Sequence, residues 1–398
     1  MRPLSVALLS WEYPPVVVGG LSRHVHQLAR GLAEKGHRPT VYSRAHPQAS
    51  SESLERGVRV VRIQGWPRRL TSRNLVQWVG GFNRALARRA LPDFRREAPD
   101  VLHAHDWLVA WAAEALRDAL ALPLVATIHA TEFGRHGGRI HGATQRMIDG
   151  VERRLTAGAD RVIACSEHMR REVRDLFDVE PEKVDMIPNE VDGSVFTDHG
   201  DGAGRGWHGP LILFAGRLEY EKGVQTVLEA LPSIERQVPG VGLIVAGAGT
   251  YRASLEQRAR DIGLDGQVRF AGFVEEPDLR SLYRTADLVV VPSLYEPFGL
   301  VALEAMASGA PVVAADTGGL REIVEHGATG LRFRPDDPSA LADAAVRVLT
   351  ERDLARRLVA EARRALAVRR SWAGVAARTV ETYRRAMAER RRRAHCGK

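Results

Sequence analysis

Short apolar runs alternate with helix-patterned stretches along this chain, and the alternation occurs twice. The first series of runs is Val6–Ser10, Thr40–Ser43, Val58–Ile63, Val101–His105, Leu124–Ile128, Arg161–Ala164 and Val184–Ile187. Between the first two lies Leu21–Lys35, with Leu21, Val25, Leu28 and Leu32 on one helical face and Gly36 as its stop. Strands followed by crossover helices build a parallel, doubly wound sheet. A second series comprises Leu211–Ala215, Gly242–Ala246, Gln267–Phe270, Leu288–Val291, Val312–Ala315 and Leu331–Phe333. Its helices include Gly223–Gln237, Leu255–Ile262, Pro338–Thr350 and Asp353–Leu366. The 398 residues therefore predict two α/β domains. Residues 1–196 form the first and 211–372 the second, joined by a Gly-, Asp- and His-rich linker at 197–210. A last helix at 373–390 is expected to pack back onto the first domain, and Arg390–Arg393 to be a frayed basic tail. The halves share an architecture but show no residue-level repeat.

Composition narrows the function classes. The net charge of +8 and a pI near 9.9 raise a nucleic-acid partner. The excess is arginine spread along the chain, with Lys35, Lys183, Lys222 and Lys398 as the lysines. No recognition motif accompanies it, so the expected partners are anionic small molecules and, at most, an anionic membrane surface. Two cysteines, Cys165 and Cys396, give neither a disulfide framework nor a zinc spacing. The apolar run Leu4–Leu9 is short and continues into Trp11-Glu12-Tyr13-Pro14-Pro15, which reads as a first strand and loop rather than a signal peptide. No apolar stretch is long enough to span a bilayer. The expected location is the cytoplasm, with contact at the inner membrane face as the variant of that reading.

The residues that carry chemistry cluster at predicted strand ends, where open α/β sheets bind ligands. Glu296-Pro297-Phe298-Gly299-Leu300 leads from a strand into a helix that carries Glu304. A carboxylate can accept two hydrogen bonds from a vicinal diol, and ribose and pyranose rings both present one. Another strand, Leu211–Ala215, is followed by Gly216-Arg217-Leu218-Glu219-Tyr220-Glu221-Lys222-Gly223. Arg217 can fork onto phosphate oxygens and Lys222 adds a mobile point charge. Carboxylates for hydroxyls and cations for phosphates describe a nucleotide-sugar site; a capped helix and a surface charge cluster are the plainer alternatives. Gly19-Gly20 before the first helix could admit an anion to backbone N–H groups. His129 and the His105-Asp106-Trp107 segment follow two further strands. Alternation puts His103 and His105 on one face of a buried strand, which weakens a metal reading of His103, His105 and His129. No Asp-x-Asp clamp occurs, so no metal cofactor is expected. Gly134–Gly142, with Arg135, His136, Arg139 and His141, reads equally as a mobile acceptor-side loop and as an uninvolved flexible one. Gly247-Ala248-Gly249 begins like a dinucleotide fingerprint, but position 252 is Arg.

Together these segments resemble the retaining glycosyltransferases of family four, over nearly the whole chain. Gly216–Gly223 and Glu296–Glu304 are the most specific parts. Trp11–Pro15, Gly19-Gly20-Leu21, His103–Trp107 and Thr127–Glu132 look most like the glycogen-synthase-like α-glucosyltransferases of actinobacteria. The resemblance implies the GT-B fold, two Rossmann-like domains facing a central cleft. It implies that Gly19, Gly20, Arg217 and Lys222 hold the donor diphosphate, with Phe298, Gly299 and Leu300 adding backbone contacts. Glu296 would bind the donor sugar's hydroxyls, Glu304 the ribose diol, His129 the sugar's 6-hydroxyl and Asp106 the reacting region. It also implies a metal-independent transfer in which the leaving phosphate takes the acceptor proton. The family's Pro-Asn-Gly-Val-Asp reads here as Pro188-Asn189-Glu190-Val191-Asp192, so the path of that turn is open.

The leading expectation is a retaining α-glycosyltransferase moving glucose from a nucleoside diphosphate, UDP-glucose first and ADP- or GDP-sugars next, to a glucan or oligosaccharide. The motifs divide between the halves, which implies that closure on the donor assembles the site. One alternative is a membrane-associated mannosyl- or glucosyltransferase. It rests on Leu75–Arg96, where Trp78, Phe82, Leu86 and Phe94 accompany Arg84, Arg88, Arg89, Arg95 and Arg96. The competing reading of that segment is a core-facing helix with a solvated basic side. A nucleotide-sugar sensor without activity is a third reading, and a dehydrogenase a fourth, disfavoured by the broken glycine fingerprint.

Overall fold

Two separate sheets order the chain. The computed structural model describes residues 2–17, 19–64, 75–191, 207–367 and 371–396. The first sheet runs β3(Glu52–Glu55), β4(Val58–Ile63), β2(Arg38–Arg44), β1(Ser5–Leu9), β5(Val101–His105), β6(Leu124–Ile128), β7(Arg161–Ala164), β8(Val184–Met186). The second runs β11(Val268–Gly272), β10(Gly242–Ala246), β9(Leu211–Ala215), β12(Leu288–Val291), β13(Val312–Ala315), β14(Leu331–Phe333). Every pairing is parallel except β3 with β4. The β3 edge strand has no apolar run to announce it: Glu52-Ser53-Leu54-Glu55 is mostly polar, as an exposed edge should be.

The chain divides into one unit of Met1–Asn189 with Arg370–Lys398 and another of Glu190–Arg369. Of the expected linker, 197–206 lies outside the described residues, while Trp207–Pro210 belongs to the second unit. Trp207 Nε1 donates to Gly240 O at 3.1 Å, and Gly242 N to Pro210 O at 2.9 Å.

In the first unit, Val6 and Leu8 of β1 pack with Val25, Leu28 and Leu32 of the Gly20–Glu34 helix. Val375, Val380 and Tyr383 from the last helix, Trp372–Cys396, complete that core. Tyr383 is fully buried, and its hydroxyl meets His103 Nδ1 at 2.8 Å. The basic tail is not frayed. The helix continues past Arg390, Arg390 Nε reaches Ala121 O at 3.4 Å, and Arg393 lies 3.5 Å from Asp160. Asp160 is buried while accepting from Leu124 N, so a nearby cation offsets the cost of its charge.

The Leu75–Arg96 helix is core-facing. Trp78, Phe82, Leu86 and Phe94 are buried, with Trp11 edge-on to Trp78 and Phe82 at 4.4 and 5.1 Å. On its other side Arg89 pairs with Asp93 and Glu52 at 2.9 Å each. Its aromatic face is therefore not available to a bilayer. Among the described residues, no helix is long and apolar enough to cross a membrane.

Candidate active site

Strand order decides which loops meet. In the second sheet β9 lies between β10 and β12, so the order in which strands are added reverses between β9 and β12, the position where such sheets take ligands. The loop after β9 carries Arg217 and Lys222; the loop after β12 carries Glu296. Lys222 Nζ lies 2.8 Å from Glu296 Oε2, and Ser293 Oγ donates to the same oxygen at 3.1 Å. Both charged side chains are largely buried, at 16% and 14% exposure, so the pair is sheltered from screening. Arg217 pairs with Glu221 at 3.0 Å and is more exposed.

The loops are braced from either side. Glu296 O accepts from Gly319 N at 2.8 Å, and Leu294 O from Thr317 Oγ1 at 3.2 Å. Gly299 opens the Leu300–Ser308 helix at φ 109°, a conformation costly for other residues. Phe298 is buried beside it. On the other side, a Cβ at Gly247 would fall 1.8 Å from Gly216 O. The glycines at 247 and 249 thus let two loops touch, which is why they mimic a dinucleotide fingerprint without its third member. Glu304 lies within the helix and is 4% exposed; it accepts from Tyr283 Oη at 3.0 Å. Glu304 is therefore not a solvated helix residue.

In the first sheet β1 lies between β2 and β5, and the switch falls between β1 and β5. The β1 loop leads to Gly19 and Gly20, the β5 loop holds Asp106, and His129 follows the neighbouring β6. Gly19 N donates to Glu12 Oε2 at 3.1 Å, so this amide already has a partner. Gly20 begins the helix, where first-turn amides lack intrahelical acceptors. Asp106 is buried with φ 60°, and its Oδ1 accepts from His129 N at 2.7 Å. Burial pushes its carboxyl up to about 6, against the pull of Arg135, which lies 3.9 Å from Oδ2, and of the His129 and Ala130 amides. Burial, aided by Arg135, holds His129 down at about 3, so its imidazole is neutral.

The expected acceptor loop is locally tied rather than open. Glu132–Arg135 is a short helix capped by Thr131 Oγ1, which accepts from Gly134 N at 2.9 Å. His136 Nε2 meets Glu132 Oε1 at 3.0 Å, and Arg146 donates to His141 O at 2.9 Å. Asn189 of the altered Pro-Asn-Glu-Val-Asp turn is buried against His24; Asp192 lies outside the described residues.

Comparison with known proteins identifies the family. The description Glycosyltransferase Family 4 matches residues 18–195, and Glycosyl transferases group 1 matches residues 206–365. A glycogen synthase of Mycobacterium tuberculosis is 40% identical, covering 96% of this chain and 94% of its own. The chain belongs to the family 4 glycosyltransferases. A D-inositol 3-phosphate glycosyltransferase of Nocardia farcinica is 31% identical over 98% of this chain and 91% of that one. Among solved structures, a sucrose-phosphate synthase from Thermosynechococcus elongatus superposes with a TM-score of 0.85 at 27% identity, covering 98% of this chain and 100% of that one. The glycosyltransferase is a hexosyltransferase of GT-B fold, as its sequence implied. Sequence reading missed Tyr283 and Ser293, which hold the two glutamates, and Glu12, which holds Gly19. None is flagged by spacing, because each acts through a contact made only in three dimensions.

Proposed function

We propose that this glycosyltransferase moves glucose, with retention of the α configuration and without a metal, from a nucleoside diphosphate to a glucan or oligosaccharide. The observation that carries the reading is the Lys222–Glu296 contact at 2.8 Å. A cation and a carboxylate on adjoining atoms match what a sugar diphosphate presents at its anomeric junction, charged phosphate beside sugar hydroxyls. Lys222 and Arg217 offset the charge that grows on the departing diphosphate. Glu296 holds sugar hydroxyls whose protons become more acidic as the ring turns oxocarbenium-like. Glu304, held by Tyr283, would take the ribose diol, and neutral His129 can hydrogen-bond a sugar hydroxyl without adding charge. The leaving phosphate takes the acceptor proton, which needs no separate protein base on that face. UDP-glucose is the first donor to try and ADP-glucose the second; the relative named glycogen synthase supports a glucan product.

A small phosphorylated acceptor is the second reading. It is supported by Arg135, which lies beside Asp106 with 25% of its side chain exposed, and by the relatives named D-inositol 3-phosphate glycosyltransferases. A panel of nucleotide sugars is screened for thermal stabilisation and slow hydrolysis. The best donor is then offered to glucans, free oligosaccharides and phosphorylated polyols. Faster turnover on glucans supports the first reading, and faster turnover on the phosphorylated set replaces it. Absence of turnover with every nucleotide glucose sinks both.

A further inference from the structure

Three histidines from three separate elements meet inside the first unit. His24 comes from the Gly20–Glu34 helix, His105 ends β5, and His129 follows β6. Their ring centroids are 5.4 Å (His24–His105), 4.7 Å (His24–His129) and 5.4 Å (His105–His129) apart. One ring nitrogen of each lies within 4.8 Å of the other two. His103, the neighbour that alternation would have offered, is not available: Tyr383 Oη and Thr127 Oγ1 occupy its two nitrogens at 2.8 and 2.7 Å.

The protonation pattern suits ligation. His24 Nδ1 lies 2.6 Å from Asn189 Oδ1. An amide oxygen only accepts, so Nδ1 carries the proton and Nε2 the lone pair. That Nε2 is buried and has no hydrogen-bond partner, and His105 Nε2 is in the same condition. A histidine whose far nitrogen donates to a carbonyl, leaving the near one bare, is the usual outer arrangement of a metal ligand. His105 Nδ1 and His129 Nε2 are hydrogen-bonded at 3.1 Å, so one of them carries a proton that a metal would displace, and their spacing is close to the about 3.4 Å that Zn–N bonds of about 2.0–2.1 Å impose on a tetrahedron. Two groups decide the charge nearby. Asp106, whose Oδ1 takes the His129 amide, favours a cation, and Arg135, 3.9 Å from Asp106, opposes one.

We propose that His24, His105 and His129 form a three-nitrogen site for a borderline divalent cation such as Zn²⁺, and that its occupation suppresses sugar transfer by removing His129 from the substrate. Three protein ligands leave a fourth position for water. Imidazole selects Zn²⁺, Co²⁺ or Cu²⁺ over Mg²⁺ and Ca²⁺, which prefer oxygen. The inhibitory half rests on the substrate role proposed for His129; the binding half stands on the geometry alone.

The test titrates chelator-treated full-length protein with Co²⁺ and reads its visible absorption, then adds Zn²⁺ as competitor and follows transferase turnover. One equivalent of Co²⁺ should give the intense spectrum of a four- or five-coordinate ion, and Zn²⁺ should displace it and lower turnover, reversibly with chelator. His24→Gln, which removes one ligand, should lose the spectrum and the Zn²⁺ sensitivity while keeping turnover. Asn189→Ala, which frees the His24 tautomer, should weaken Co²⁺ binding by about 10-fold. It provides a second readout if His24→Gln does not fold. A silent titration overturns the site, as does a spectrum unchanged in both variants. Tight Co²⁺ binding with full turnover overturns the inhibition, and with it the role given to His129, without touching the donor reading at Lys222 and Glu296.

Discussion

Glu296 and Glu304 were both visible as carboxylates on one strand–loop–helix segment, but spacing alone says nothing of their different surroundings. Glu296 is held by Lys222 and Ser293 at a loop, and Glu304 is buried under Tyr283 within the helix. The two therefore predict different kinetic faults. Glu296→Gln keeps an acceptor for Lys222 but loses the charge that matters most as the glycosidic bond breaks. It should lower kcat and kcat/KM together by about 10²-fold, which is ~3 kcal/mol of transition-state stabilisation. Glu304→Gln keeps an acceptor for Tyr283, and under the proposed ribose role it acts far from the reacting carbon, so it should chiefly raise the donor KM. Steady-state kinetics of both variants on one donor checks this; the opposite pattern reverses the assignments. The partners Tyr283, Ser293 and Glu12 were invisible in the sequence because a hydroxyl or carboxylate has no pattern until a fold brings it to an acceptor or donor.

Elements were the most legible level, because burial writes itself into apolar runs. β5, β6, β7, β9, β10, β12, β13 and β14 have the bounds that the runs predicted. The polar edge strand β3 and the helical course of Arg390–Cys396 were not legible, since one is stabilised by pairing and the other by its contacts with Ala121 and Asp160. Helix placement also creates a pH dependence that no motif announces. Glu152, on the Ala143–Gly158 helix, accepts from Glu132 N through both oxygens, at 3.1 and 3.0 Å. Burial, partly offset by Arg135 and the Glu132 amide, pushes its carboxyl from 4.5 up to about 8. Between those values the folded chain keeps a proton that the unfolded chain has released. Stability is therefore lost as pH rises through that window, by up to about 1.4 kcal/mol per pH unit. Glu152→Gln keeps an acceptor for the Glu132 amide and cannot ionise. Denaturant melts from pH 5 to pH 8 should show the variant gaining on the parent chain as pH rises. Parallel pH profiles would show that Glu152 titrates normally.

At the scale of the whole molecule, two sheets could be counted from the sequence but their strand order could not, and it is the order that brings the loops of Arg217, Lys222 and Glu296 together. The last helix is a similar case. Tyr383 meets His103 across 280 positions of sequence, in the core of the first unit. Tyr383→Phe leaves His103 Nδ1 buried without its partner and should cost about 1–3 kcal/mol of stability, read in an unfolding titration. A change within experimental error would mean that the ring alone anchors the helix. Above both stands the reaction itself. The most direct measurement is a proton NMR time course of chelator-treated protein with UDP-glucose or ADP-glucose and an oligoglucan. The account predicts an α-anomeric signal in the lengthened glucan, formed from the first turnovers in step with nucleoside diphosphate release and undiminished by the chelator. A β-anomeric product, or transfer that appears only when magnesium or manganese is restored, would contradict it.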